Sequence, residues 1–169
     1  MADETLWADP SDPALIPYRR AKTPAEKAAW DFVGADPSVL TAVLPGAVIG
    51  PILSPANLGS VPIIQRLLTE AMPGTPRIGL EVVDVRDMAD LHIRAMLSPL
   101  AAGERFLGTA EFVWMRDIAL ALRAALGPAA AKVPTRQLPD VGRRGPLEQD
   151  TPPNCWRAFT RGGIGRLPG

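Results

Sequence analysis

Apolar positions along the chain fall into two periods, and together they predict strands alternating with helices. Ala25 to Val33 puts Ala28, Ala29, Phe32 and Val33 on one close-packing helical face, and Gly34 stops that helix. Two starts fit it. Thr23-Pro24-Ala25-Glu26 reads as a capping box with proline at the first helical position. A helix begun near Tyr18 would instead carry Pro24 inside it and kink there. Val39 to Leu44 is apolar on both faces and bounded by turn residues, the pattern of an interior strand in a parallel sheet. Ser60 is placed to cap a helix through Ile63, Ile64, Leu67, Leu68 and Met72, and Gly79 to Val85 is the next strand. Asp87 is placed as N-cap of a helix to Leu97, with Asp90 in its first turn and Ala89, His92, Ile93, Met96 and Leu97 along one stripe. Arg105 to Thr109 reads as a short strand, and Met115 to Leu126 as a helix closed by Gly127-Pro128. The alternation predicts an α/β domain with a parallel sheet.

From Asp140 onward neither period survives, and Gly, Pro and Arg dominate. The predicted organisation is therefore a folded body over 1–139 and a loose, irregular tail over 140–169. Gly162-Gly163-Ile164-Gly165 has the look of a phosphate loop without the preceding strand that such a loop needs. Residues 1–17 read as an irregular lead-in, acidic and without an apolar run. Net charge is zero, which points to no nucleic-acid or anionic-membrane partner, and no stretch reaches the ~18 apolar residues of a membrane span. Cys155 is the sole cysteine and His92 the sole histidine, so an internal disulfide and a conventional zinc site are both excluded. His92 is expected to be a hydrogen-bonded structural residue. These features together predict a cytoplasmic protein that holds no metal.

The candidate chemistry lies at Tyr18 and Lys22, four residues apart and so one turn from each other on a helix. A cation beside a phenol favours phenolate, which suits the pair to proton transfer. The plainer alternative is an aromatic ring beside a solvated lysine.

Four motifs in register extend this reading. Tyr18-x-x-x-Lys22 is followed by Ala25-Glu26-Lys27-Ala28-Ala29-Trp30, then by a strand ending Leu44-Pro45-Gly46-Ala47-Val48-Ile49-Gly50-Pro51. Val83-Asp84-Val85-Arg86-Asp87-Met88-Ala89-Asp90-Leu91-His92 and Gly103-Glu104-Arg105-Phe106 complete the series. In this order and spacing, from about Trp7 to Pro139, the chain resembles the extended short-chain dehydrogenase/reductases. Within them it resembles the dihydroflavonol-reductase-like carbonyl reductases of the NAD-dependent epimerase/dehydratase superfamily. The resemblance implies a Rossmann-type sheet of which this chain holds the C-terminal half, with a small substrate-side subdomain. It implies NAD or NADP as cofactor and a small aldehyde or ketone as substrate. Tyr18 matches the residue that protonates the carbonyl oxygen as hydride arrives. Lys22 matches the residue that binds the nicotinamide ribose and assists the tyrosine. Pro45, Gly46, Ala47 and Val48 match the segment lying along the nicotinamide, where a Pro-Gly turn lets backbone approach a flat ring. Ser60 falls where the family places a serine near the cofactor phosphates, and free N–H groups at a helix N-terminus would suit an anion there. An ordinary helix cap is the other reading of Ser60. Arg86-Asp87 reads as an architectural cap and ion pair.

Departures from the family pattern are as informative. No glycine precedes Gly34, so the Gly-rich turn that carries the pyrophosphate is not represented, and Ala21 stands where the family commonly has serine. A half-sheet with exposed strand edges and a Lys22 helix short of packing is the expected consequence, and with the adenosine and pyrophosphate site absent the chain alone is expected to bind cofactor poorly and to be inactive by itself. Three readings follow: an incomplete copy of a reductase, one half of a split reductase completed by a separate N-terminal half, or a non-catalytic binding module that pairs with a homologous subunit.

Overall fold

The structure, a computed structural model, describes residues 4–13, 15, 17–56 and 58–139. The expected 140–169 tail, with Cys155 and the Gly162–Gly165 run, lies outside the described residues.

Four helices and five short strands make up the body. α1 runs Pro17–Val33, β1 Ala42–Pro45, β2 Ala47–Ile49 and α2 Val61–Leu68. β3 follows at Gly79–Asp84, then α3 at Val85–Leu97, β4 at Arg105–Gly108, β5 at Glu111–Trp114 and α4 at Met115–Leu126. The α/β class is as expected; the sheet is not a single parallel one. β1 and β4 form a parallel pair, with Ala42 opposite Arg105 and Pro45 opposite Gly108. β3 is the middle of a second sheet, parallel to β2 and antiparallel to β5. The chain passes between the sheets at two neighbouring points. Gly46 separates β1 from β2 and donates its N–H to the Gly108 carbonyl, while Ala110 leads into β5 and donates to Val82.

Two apolar clusters hold these layers. Val83, Met88 and Leu91 are buried between α3 and the strands, against Val43, Val48, Phe106 and Ala110. Leu67 of α2 meets Met115 and Ala119 of α4 together with Ala130 and Val133, and Ile63, Met72, Ile118 and Leu122 ring that second cluster. Thr75, also fully buried, stitches the closing segment down: its N–H donates to the Arg136 carbonyl, and its own carbonyl accepts from Leu138.

Several expectations are corrected. α1 starts at Pro17, which takes the first helical position, and continues through Pro24 without a break, so Thr23 is no cap but a buried helical residue. Its inward stripe is Thr23, Glu26, Trp30 and Val33; Ala28, Ala29 and Phe32 face solvent, Phe32 at 91% exposure. Gly34, at φ +58°, ends α1 as expected. The strand predicted from Val39 begins only at Ala42, because Pro37–Val39 is a 3₁₀ turn capped by the Asp36 carboxylate. Among the described residues it has one strand neighbour, β4, and is not interior there. α2 stops at Leu68, short of Met72.

α3 is capped by Asp84 rather than Asp87: the Asp84 carboxylate accepts from the Arg86 N–H at 2.8 Å and from the Arg86 guanidinium at 2.9 and 2.7 Å. Its buried residues are Met88, Leu91 and Ala95, while the anticipated Ala89, His92, Ile93, Met96, Leu97 stripe is exposed. The Arg86 bonds hold the Asp84 carboxyl down at about 2, against an ordinary 3.8. A carboxyl depressed in the folded state contributes stability above its unfolded value and loses it as pH falls through the folded one. The urea midpoint is therefore expected to fall between about pH 4 and pH 2, and Arg86→Ala should flatten that limb. An acid limb of unchanged shape in Arg86→Ala would remove Asp84 from the account.

Candidate active site

Tyr18 and Lys22 sit one turn apart near the start of α1, both exposed, with the Lys22 Nζ 5.2 Å from the centroid of the Tyr18 ring. The helix that continues through Pro24 is what brings them together. The ammonium lies over the ring, a contact that contributes about 0.5–1 kcal/mol at an exposed site. Lys22 keeps all three donors on a flexible stem, and the Tyr18 hydroxyl is open to a ligand, so the donor set suits a ribose and a carbonyl oxygen.

Pro45 to Val48 spans the step from β1 to β2. Gly46 is required there by packing inside the protein. A Cβ on Gly46 would lie 2.2 Å from the Glu81 carbonyl oxygen and 3.1 Å from Thr109 Cγ2. The close approach of β3 is thus what requires glycine at this position. Beside it, burial pushes the Glu81 carboxyl above its ordinary value.

Ser60 is the N-cap residue of α2, and its side chain makes no capping hydrogen bond. The free N–H groups anticipated at this helix start are not offered. Val61 donates to Leu58, Ile63 donates to Ser60, and Pro62 between them has no N–H. The Ser60 hydroxyl, which makes no capping bond, remains for a ligand. His92 donates to, or accepts from, nothing catalytic: its Nδ1 lies 2.8 Å from the Met88 carbonyl, the structural contact expected, though on an exposed rather than buried face. Among the described residues no group of three or more His, Cys, Asp or Glu could hold a metal ion. No described helix is long and apolar enough to cross a membrane.

Sequence reasoning missed Arg105. Its guanidinium grips both Glu26 oxygens, at 2.8 and 3.3 Å, and donates to the Glu4 and Leu6 carbonyls. Trp7 stacks on it with its ring centroid 3.9 Å from Cζ. The partners are 79 residues apart in sequence, beyond the reach of any local pattern.

Comparison with known proteins gives the class first. A crystal structure of methylglyoxal/isovaleraldehyde reductase Gre2 from yeast, complexed with NADPH, matches with a TM-score of 0.59 and 25% identity, covering 68% of this chain and 39% of that one. Gre2 from Candida albicans, also with NADPH, matches with a TM-score of 0.59 and 27% identity, over 71% of this chain and 38% of that one. The body is built on part of a Rossmann-type reductase fold. In fold and sequence it is similar to part of the short-chain dehydrogenase/reductase type of reductase. Among curated proteins, a ketoreductase of Aspergillus niger is 32% identical over 152 residues, 82% of this chain and 45% of the relative. A cinnamoyl-CoA reductase of Medicago truncatula is 34% identical over 109 residues, 63% of this chain and 33% of the relative. The chain spans less than half the length of these relatives. No family model matches it.

Proposed function

We propose that residues 1–139 form the proton-donor side of an NAD(P)-dependent carbonyl reductase acting on a small aldehyde or ketone. The observation that carries this reading is the Tyr18–Lys22 pair, exposed and one turn apart at the head of α1. The dihydronicotinamide, when bound, supplies the hydride. Tyr18 gives its phenolic proton to the carbonyl oxygen as negative charge develops there, and Lys22 would hold the nicotinamide ribose. Pro45 to Val48 would line the nicotinamide, and the Ser60 hydroxyl would be the contact for a phosphate oxygen.

NADPH consumption with a panel of aldehydes and ketones tests the reading. Tyr18→Phe, which removes only the proton, is expected to slow turnover by about 10²–10⁴-fold. Equal turnover in wild type and Tyr18→Phe would exclude Tyr18 as the donor.

A second reading, that the chain works together with a separate N-terminal half or a homologous subunit, is favoured by its open surfaces. Among the described residues β1 has one strand neighbour, and Phe32, Ile93, Met96, Leu97 and Leu100 are exposed. Co-expression with an intact reductase of the same class should then yield a stoichiometric complex on size exclusion; separate elution would exclude that pairing.

A further inference from the structure

We propose that Arg105 is the positioning residue of this site: it clamps α1 in the rotation and height that present Tyr18 and Lys22. The inference rests on the reading of that pair as the proton-transfer machinery. Tyr18, Lys22, Glu26 and Trp30 are spaced four apart and so lie along a single ridge of α1. Whatever fixes Glu26 therefore fixes the azimuth of the two residues N-terminal to it. Glu26 is the one charged member of the inward stripe, and it is held at both oxygens by Arg105 of β4, with side chains only 13% and 19% exposed. A planar fork on two carboxylate oxygens restricts both sliding and rolling, which a single contact does not. Trp30 Nε1 donates to the same Glu26 oxygen at 3.4 Å.

The lead-in completes the clamp. Trp7 covers the guanidinium, and the Glu4 and Leu6 carbonyls accept two of its hydrogens. The Glu4 carboxylate accepts the Leu107 N–H at 3.4 Å, on β4 itself. With Ala28, Ala29 and Phe32 turned to solvent, the apolar packing that normally seats a helix is thin here, and the ion pair carries the placement.

Paired nitroxides at Ala25→Cys and Leu97→Cys, in a Cys155→Ser background of the full chain, measure where α1 sits against α3. Arg105→Gln is expected to broaden that distance distribution about twofold and to speed amide exchange along α1 about tenfold, with α4 unchanged. NADPH affinity should fall in parallel at an unaltered α4 exchange rate. Charge reversal, Arg105→Glu with Glu26→Arg, should narrow the distribution again; Arg105→Lys, a point charge, should not. An unchanged distribution in Arg105→Gln, or exchange accelerated everywhere alike, would overturn the clamp. A broadened distribution with undiminished NADPH affinity would overturn its link to the site. If the wild type binds no NADPH, the functional reading fails, while the spin-label distances still decide whether Arg105 places α1. Should Arg105→Gln not fold, Glu26→Gln carries the same expectations.

Discussion

Gly46→Ala is expected to destabilise the protein by about 3 kcal/mol, at the upper end of what overpacking produces. The added Cβ would stand 2.2 Å from the Glu81 carbonyl oxygen, a backbone atom fixed by the pairing of β3 with both β2 and β5. A side chain could rotate away; a carbonyl in the central strand cannot move without disturbing both ladders. Gly46 also hands its own N–H to Gly108, so any retreat of residue 46 pulls on β4. Urea unfolding checks this through a lowered midpoint at unchanged slope. Because Gly46 lies in the proposed nicotinamide wall, cofactor affinity should fall with it. A midpoint equal to wild type would mean that the step from β1 to β2 is not seated on β3 as described.

Leu67→Ala is the second large effect, expected at about 2–5 kcal/mol. Leu67 is fully buried at the centre of the cluster formed with Met115, Ala119, Ala130 and Val133. Small neighbours such as Ala119 and Ala130 give little side chain with which to refill the cavity. Against a typical total of about 5–15 kcal/mol, that loss lowers the melting temperature by on the order of 10 °C. Leu67→Met, which conserves volume, should lose less than about 1.5 kcal/mol. Equal losses for the two variants would show that Leu67 is not in a packed core.

How much of this was legible depended on whether the deciding contact was local. α4 could be read to the residue, because Met115–Leu126 has one apolar face and Gly127-Pro128 ends it. β3 and β4 were read to within one residue, each ending one position earlier than expected. The cap of α3 was ambiguous, since Asp84, Asp87 and Asp90 recur every three residues; Asp84 is selected because β3 ends there and Arg86 folds back on it. The face of α3 was misread because it has two apolar stripes, and only tertiary packing distinguishes Met88–Leu91–Ala95 from Ile93–Met96–Leu97. β5 went unseen: four residues beginning with an exposed Glu111 give no clear alternation. For α1, Pro17 and Pro24 each satisfied the rule for a first helical position, and the choice of Pro17 turned Glu26 from a capping residue into the partner of Arg105. The Tyr18–Lys22 spacing was readable from sequence; what holds its helix in place was not.

The measurement that tests the central claim most directly is an NADPH titration of the full chain, followed by energy transfer from its tryptophans to the nicotinamide. The account predicts a saturable signal that Lys22→Ala abolishes while leaving the unfolding free energy within about 0.5 kcal/mol of wild type, as expected for an exposed side chain. A signal that survives Lys22→Ala unchanged, or no saturation at millimolar cofactor, would contradict the assignment of Tyr18 and Lys22 as the cofactor side of a reductase site.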